Sequence, residues 1–430
     1  MKKAFILIAF LMALHIFTLS VHAVSLGIDA QAYILVDSKT GQILYEQNPD
    51  KKLYPASTTK IMTAVLALEN GSPGQIMTAS KQAVYDIGKD GMNIGIMPDE
   101  KIPMINLLEA LLISSANETA NIIAENICSS RDEFVKLMNK RAQELGAVNT
   151  HFVNPCGAHN SEHYTTAKDF AAIARYAMTL DAFREIAGKK EYKMPITNKH
   201  SEWPVLYSSN LLLRNPPRNA SFRINGIKTG YTGEAGQNLV SSAVNDDGME
   251  LIAVVLGVMY PDNQRSSFNY SFKLLEYGFN NYSMQKLCDA NQKVVQIQVA
   301  DAKDNAVLDL VTSKEFKCAL PIDKSLWNIE KKDHIASDII APVNKGDKLG
   351  YIEYMQNGVS LGKVEIIASN SVEGNSKPEF TSATKKIAGS ILSRNVFAAI
   401  IVCLLAFIIL RTVLRIISRR TNRRIFRRKY

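Results

Sequence analysis

The stretch Pro55-Ala56-Ser57-Thr58-Thr59-Lys60 leads into Ile61, Met62, Ala64, Val65, Leu66 and Leu68, a run that is apolar around most of its circumference. Such a run reads as a buried central helix. Its first turn carries a hydroxyl and an amine, and the small Ala56 and Ser57 allow the hydroxyl to face a cleft. Placed three apart on a helix, Ser57 and Lys60 share one face about one turn apart. Serine is a weak nucleophile at its ordinary pKa and needs a base within hydrogen-bond reach. A lysine serves as that base only if its pKa falls, which burial and a second ammonium nearby both bring about. Standing alone, the tetrapeptide also reads as a helix-capping serine beside a solvated lysine.

Two further motifs follow in order, Ser115-Ala116-Asn117 and Lys228-Thr229-Gly230. Ser115 and Asn117 interrupt a helical stretch from Ile105 to Ile127, so both can project into a cleft while Leu111, Leu112, Ile122 and Ile123 pack inward. Lys228-Thr229-Gly230 follows Arg223-Ile224-Asn225-Gly226-Ile227, which reads as a strand edging that cleft. An extended peptide can add to such an edge, and Gly230 would keep the strand bare where it does so. Lys228 supplies the second ammonium. Each motif is short enough to arise by chance; together they describe a nucleophile, its activating groups and a holder for an acyl substrate.

The trio is shared by class A β-lactamases and penicillin-binding proteins. Two more blocks narrow the match: Phe152-Val153-Asn154-Pro155 through Gly157 to His163-Tyr164-Thr165-Thr166-Ala167, and Ala235-Gly236-Gln237-Asn238-Leu239-Val240. From about Ala32 to Phe279 the chain resembles the low-molecular-mass penicillin-binding proteins, specifically the serine-type D-alanyl-D-alanine carboxypeptidases. The resemblance implies an α+β fold, a β-lactamase/DD-peptidase-like domain with an antiparallel sheet flanked by helices. It implies Ser57 as the acyl-ester nucleophile and Lys60 as its base. Ser115 would relay protons between the lysines and the leaving amine, and the Asn117 amide would bind the substrate backbone. Lys228 and Thr229 would hold the terminal carboxylate, with the backbone N–H groups of Ser57 and Tyr231 as the oxyanion hole. The family frequently has histidine where this chain has Tyr231, but only the backbone is needed there. Arg265 is a further expected carboxylate partner, because many relatives carry an arginine just before the closing helix. Its spacing to Leu274-Leu275 is shifted, with Ser267 nearer the usual place.

The implied substrates are peptidoglycan stem peptides ending in D-Ala-D-Ala, and the implied inhibitors are β-lactam antibiotics. No cofactor is implied, nor a metal, since His151, His159 and His163 are loop histidines without a carboxylate scaffold. A DD-endopeptidase acting on crosslinked wall would use the same residues. A β-lactamase would need a glutamate to activate water, and Glu162 is in the right general loop. A non-catalytic wall-binding protein on a retained fold should have lost some of these side chains, and none is lost.

The ends of the chain bear on location. Residues 1–23 read as a secretory signal, with Lys2 and Lys3 before an apolar run and Val21-His22-Ala23 at its end; an uncleaved anchor helix is the other reading. Residues 24–283 form the catalytic domain and 284–368 a small all-β sandwich domain, where short strands alternate with turn residues. A polar stalk over 369–393 leads to a membrane helix at 394–414 and a basic tail at 415–430. The apolar run Val396 to Leu410 has no polar face, which favours a span over an interfacial helix. Nine Lys or Arg residues and no acidic ones lie between Arg411 and Lys429, so the positive-inside rule puts the tail in the cytoplasm and the catalytic domain outside a bacterial cell membrane. Removing those nine charges and Lys2 and Lys3 from the formal +9 leaves −2 for residues 24–410. The basic balance thus speaks of topology and contact with anionic lipid, not of nucleic acid. Five cysteines show no metal-ligand spacing, and whether Cys288 and Cys318 are bridged stays open.

Overall fold

The computed structural model of the chain describes residues 25–88, 91–259 and 266–375. The signal segment, Arg265, most of the stalk, the membrane helix at 394–414 and the basic tail lie outside the described residues. Among those described, no helix is long and apolar enough to cross a membrane.

The described chain divides into two compact units. The first runs to residue 292 and adds 312–335 and 350–366; the second takes 293–311, 336–349 and the chain from 367.

The first unit is built on an antiparallel sheet of five strands. β1 (Ala32–Asp37), β2 (Ile43–Gln47), β3 (Phe222–Thr232), β4 (Gly236–Asn245) and β5 (Glu250–Val258) are arranged in the order β2-β1-β5-β4-β3. Residues alternate between its faces with period two, and both faces are covered. Ile34, Val36, Ile252 and Val254 pack into one core with Ile61, Met62, Val65, Leu107 and Phe170. Tyr33, Leu35, Leu251 and Val255 pack into a second core with Leu274 and Leu275. The first core holds the helices α1 (Lys60–Asn70), α2 (Met104–Ile113), α3 (Asn117–Ile127), α4 (Arg131–Glu144), α5 (Ala167–Ala177) and α6 (Asp181–Ala187). The second holds α7 (Ser266–Asn281). β3 is the free edge of the sheet, as its position beside a cleft requires.

Two local breaks position the chemistry. Expected as one helix from Ser57, the chain instead forms a 3-10 turn over Ala56–Thr59 and becomes α-helical at Lys60. Ala56 has φ +48°, a left-handed value that a non-glycine residue adopts only where the surroundings hold it. The break expected between Ile105 and Ile127 is present: Ser115 has φ +67° and separates α2 from α3.

The strand-rich region contains more than its sequence pattern suggests. β6 (Tyr282–Cys288) continues directly from α7 and pairs with β9 (Phe316–Pro321); between them in sequence lie β7 (Lys293–Gln298) and β8 (Val307–Thr312), themselves paired. β10 (Ile329–Ile335) pairs with β11 (Lys348–Gln356), and β11 turns into β12 (Val359–Ala368) through Asn357 and Gly358. Both turn residues have positive φ, +49° and +79°, the signature of a tight hairpin. β6 and β9 belong to the first unit, and Ala319 is buried in its second core. Cys288 and Cys318 are free thiols, and burial pushes the Cys318 thiol up to about 12. The first residues of the expected stalk, to Asn375, are among those described. Within the second unit, Val372 is buried and exchanges backbone hydrogen bonds with Val343, and Asn375 N–H donates to the Asp301 carbonyl.

Leu35 is wholly buried in the second core against α7, whereas Ile43 is 40% exposed. Leu35→Ala should lower the unfolding free energy by about 2–5 kcal/mol, against less than about 1 kcal/mol for Ile43→Ala. Urea unfolding of the two variants measures the difference.

Candidate active site

Lys60 has no exposed surface. Its Nζ makes three short contacts: Ser57 Oγ at 2.8 Å, Asn117 Oδ1 at 2.7 Å and the Cys156 carbonyl at 2.8 Å. The two carbonyl-type oxygens can only accept hydrogen bonds. When Lys60 is a free amine they occupy its two hydrogens, and the nitrogen lone pair is left facing the Ser57 hydroxyl. The contacts thus aim a buried amine at a hydroxyl. Burial brings the Lys60 pKa down to about 8, opposed by the nearby Cys156 and Glu118 side chains.

Lys228 is 1% exposed. Burial, and then the charge of Lys60, push it well below the usual lysine range. Its Nζ donates to the Thr229 carbonyl at 3.1 Å and reaches Thr229 Oγ1 at 3.5 Å. Two buried amines that each resist protonation have little room for two full charges, which is the state a lysine base needs.

Backbone proximity does the rest of the positioning. A Cβ on Gly230 would meet the Pro55 carbonyl at 2.8 Å and Ser57 N at 3.1 Å, so β3 passes directly against the nucleophile turn. A Cβ on Gly157 would lie 1.9 Å from the Ala56 carbonyl, and Gly157 has φ +85°. Both glycines are there because no side chain fits. The loop carrying Gly157 is shaped by Asn154, whose Oδ1 accepts from Gly157 N and Ala158 N at 2.8 and 3.0 Å. Asn238 pins the other side, donating to the Tyr54 carbonyl at 2.8 Å and accepting from Gly257 N at 2.8 Å.

Comparison with known proteins gives this geometry its relatives. Residues 19–259 match the D-alanyl-D-alanine carboxypeptidase family, and residues 282–374 match the C-terminal domain of penicillin-binding protein 5. The chain belongs to the D-alanyl-D-alanine carboxypeptidase family. It is 30% identical to the D-alanyl-D-alanine carboxypeptidase DacF of Bacillus subtilis over 84% of this chain and 90% of that one. It is also 30% identical to DacC of Escherichia coli, over 81% and 85% of the two chains. Among solved structures, penicillin-binding protein 5 of Haemophilus influenzae aligns at 27% identity with a TM-score of 0.64, covering 80% of this chain and 98% of that one.

Within this family frame, the structure brings together Ser57, Lys60 and Asn117 by direct hydrogen bonds, and sets Lys228, Thr229 and Gly230 along the adjoining strand edge. Ser115 lies in the turn before Asn117, 6% exposed, and its hydroxyl bonds to no described residue. The Asn117 oxygen is engaged by Lys60, and its Nδ2 donates to the Ile87 carbonyl at 3.1 Å. One Nδ2 hydrogen remains for a substrate carbonyl. Tyr231 is 68% exposed, its side chain at the open face of β3. Glu162, on which a β-lactamase reading rests, is exposed, with its carbonyl accepting from His151 Nδ1.

His163 stands in one of the blocks that carry the family resemblance, whereas Glu118 and Ser209 carry no such signal. His163 is buried, with Nε2 2.9 Å from Thr59 Oγ1 and Nδ1 accepting from Val153 N at 3.3 Å. With Nδ1 an acceptor, Nε2 carries the hydrogen and donates to Thr59. Burial, followed by His151 and His159, lowers His163 to about 3, so it clamps the nucleophile turn as a neutral ring. Glu118 accepts from Ile94 N at 2.7 Å and so anchors the segment that also contacts Asn117 through Met92. Ser209 lies 2.6 Å from Thr229. No short-range pattern marks Glu118 and Ser209, because each acts through a partner distant in sequence.

Gly157→Ala should displace the Ser57 turn and slow acylation of Ser57 by about 100-fold, the scale of a 1 Å misplacement. Gly233→Ala, where an added Cβ meets nothing within 4 Å, should acylate at the native rate. Stopped-flow acylation by a fluorescent penicillin compares the two.

Proposed function

We propose that this chain is a serine D-alanyl-D-alanine carboxypeptidase that removes the terminal D-alanine from peptidoglycan stem peptides through an ester on Ser57, and that penicillins block it by acylating the same hydroxyl. The observation that carries this is the fully buried Lys60 amine 2.8 Å from Ser57 Oγ. Relatives named as D-alanyl-D-alanine carboxypeptidases along most of the chain support it.

The steps follow from the groups present. The substrate's terminal carboxylate settles beside Lys228 and the Thr229 hydroxyl, and its negative charge favours the ammonium form of Lys228. Lys60, as the free amine, takes the Ser57 proton while Oγ bonds to the carbonyl carbon of the penultimate D-alanine. The backbone N–H groups of Ser57 and Tyr231 receive the developing oxyanion. The C–N bond breaks as the proton passes, through Ser115, to the departing amine of D-alanine. Water then attacks the ester and gives its proton to Lys60, and Ser57 recovers its own. Gly230 keeps β3 bare along the substrate.

The same reading extends to location. A signal at 1–23, a membrane helix at 394–414 and the basic tail at 415–430 would hold the catalytic domain outside a bacterial cell membrane, within reach of the wall. The charge asymmetry of the C-terminus supports this. A chain truncated after residue 386 should appear in the soluble exported fraction, and the full chain in the membrane fraction; equal partition of the two would remove the anchor from this account.

The primary test is D-alanine release by the full-length protein from a stem pentapeptide ending in D-Ala-D-Ala. Ser57→Ala should abolish both release and penicillin labelling. Because Lys60 must be unprotonated, kcat/KM should rise about tenfold per pH unit below 8 and level off above it. Release from crosslinked wall but not from the pentapeptide would make the chain an endopeptidase.

A further inference from the structure

Thr229 carries a single hydroxyl hydrogen and two lone pairs. For that hydrogen to reach a substrate carboxylate it must point away from the protein, and something must hold it there. Ser209 is the neighbour able to do so. Its Oγ lies 2.6 Å from Thr229 Oγ1, a length typical of a strong hydroxyl pair. In such a pair one hydroxyl donates and the other keeps its hydrogen for a third partner. When Ser209 donates, one Thr229 lone pair is filled and the Thr229 hydrogen is free for the ligand. The Lys228 contact to the same oxygen is long, at 3.5 Å, and its shorter bond goes to the Thr229 carbonyl.

Ser209 is itself held in place. Its N–H donates to the Ile113 carbonyl at 3.0 Å, at the end of α2 just before the Ser115 turn. Its neighbours Ser208 and Asn210 are buried, 5% and 2% exposed. Ser208 N donates to the Lys190 carbonyl, and Asn210 Oδ1 caps Leu212 and Leu213. A half-buried serine on so fixed a backbone, with Thr229 as its partner, has one direction in which to act.

We infer that Ser209 is a positioning residue for the carboxylate subsite, orienting the Thr229 hydroxyl toward the acid terminus of the ligand. The inference rests on the proposed role of Thr229 and deepens it: the subsite would select for a free carboxylate by a serine–threonine hydroxyl relay beside Lys228.

The test compares acylation of the full-length protein by benzylpenicillin and by its methyl ester, in native, Ser209→Ala and Ser209→Thr forms. Loss of one oriented hydrogen bond corresponds to about three- to tenfold. Ser209→Ala should therefore slow acylation by the acid by that factor, leave the ester within twofold, and so shrink the acid-to-ester preference. Ser209→Thr should restore it. On D-Ala-D-Ala peptide, KM should rise and kcat hold. An equal slowing of acid and ester in Ser209→Ala would mean a structural role and overturn the inference, as would no change in either. Because penicillin reports the subsite without turnover, failure of the peptide reaction with an intact acid preference would sink the proposed function and leave this inference standing. A folded native protein that neither ligand acylates would overturn both.

Discussion

The site depends on one nitrogen held by three oxygens. A lysine side chain has a long, flexible stem and prefers water, so a Lys60 without exposed surface must be compensated at every position around Nζ. Asn117 and the Cys156 carbonyl supply two acceptors, and the remaining position faces Ser57. Remove either acceptor and the lone pair is free to turn away from the serine. The helix that carries Lys60 is buried on all sides from Lys60 to Ala67, which keeps the stem from swinging back to solvent. The apolar core therefore does chemical as well as structural service: it lowers the amine's proton affinity and fixes its aim.

That demand propagates outward. Cys156 can offer its carbonyl only because Gly157 lets the loop come against Ala56, and Asn154 and the Pro155 carbonyl, bonded by Thr63 Oγ1 at 2.6 Å, fix the loop's path. Asn117 can offer its oxygen only because the helix breaks at Ser115, whose left-handed φ places α3 so that its first residue meets Lys60. The strained backbone at Ala56 and Ser115 sits on either side of the same amine. Strain of this kind persists where surrounding packing over-determines it, and here the surroundings are the first core.

Much of this was legible in the sequence, and the parts that were not share a cause. Ser57, Lys60, Ser115, Asn117 and Lys228-Thr229-Gly230 are readable because each motif is contiguous and its spacing matches a turn or strand. The antiparallel sheet flanked by helices was implied by the family resemblance. By contrast, Ser209 and Glu118 act on partners 20 and 24 residues away, and no local periodicity encodes a partner. β10 is not legible from its sequence, because Lys331, Lys332 and Asp333 make an exposed, charged strand that reads as solvated chain. β6 and β9 share the first unit's core through Ala319, a contact that sequence order hides.

The pairing of Lys60 with Lys228 also explains why such an enzyme would favour an acid terminus beyond simple attraction. Both amines are buried and both resist protonation. Before a ligand arrives, any proton held by one disfavours a proton on the other. A carboxylate at Lys228 changes the balance locally, since an opposite charge favours the ammonium form there. The charged Lys228 then discourages charge on Lys60, which is left as the free amine required to take the Ser57 proton. Binding and activation become one electrostatic event. On the roles proposed for Lys228 and Thr229, a ligand lacking the carboxylate would lose a hydrogen-bond partner at Thr229 and would leave the base without the charge that keeps it free. Recognition at one end of the cleft thereby sets the reactivity of the nucleophile at the other.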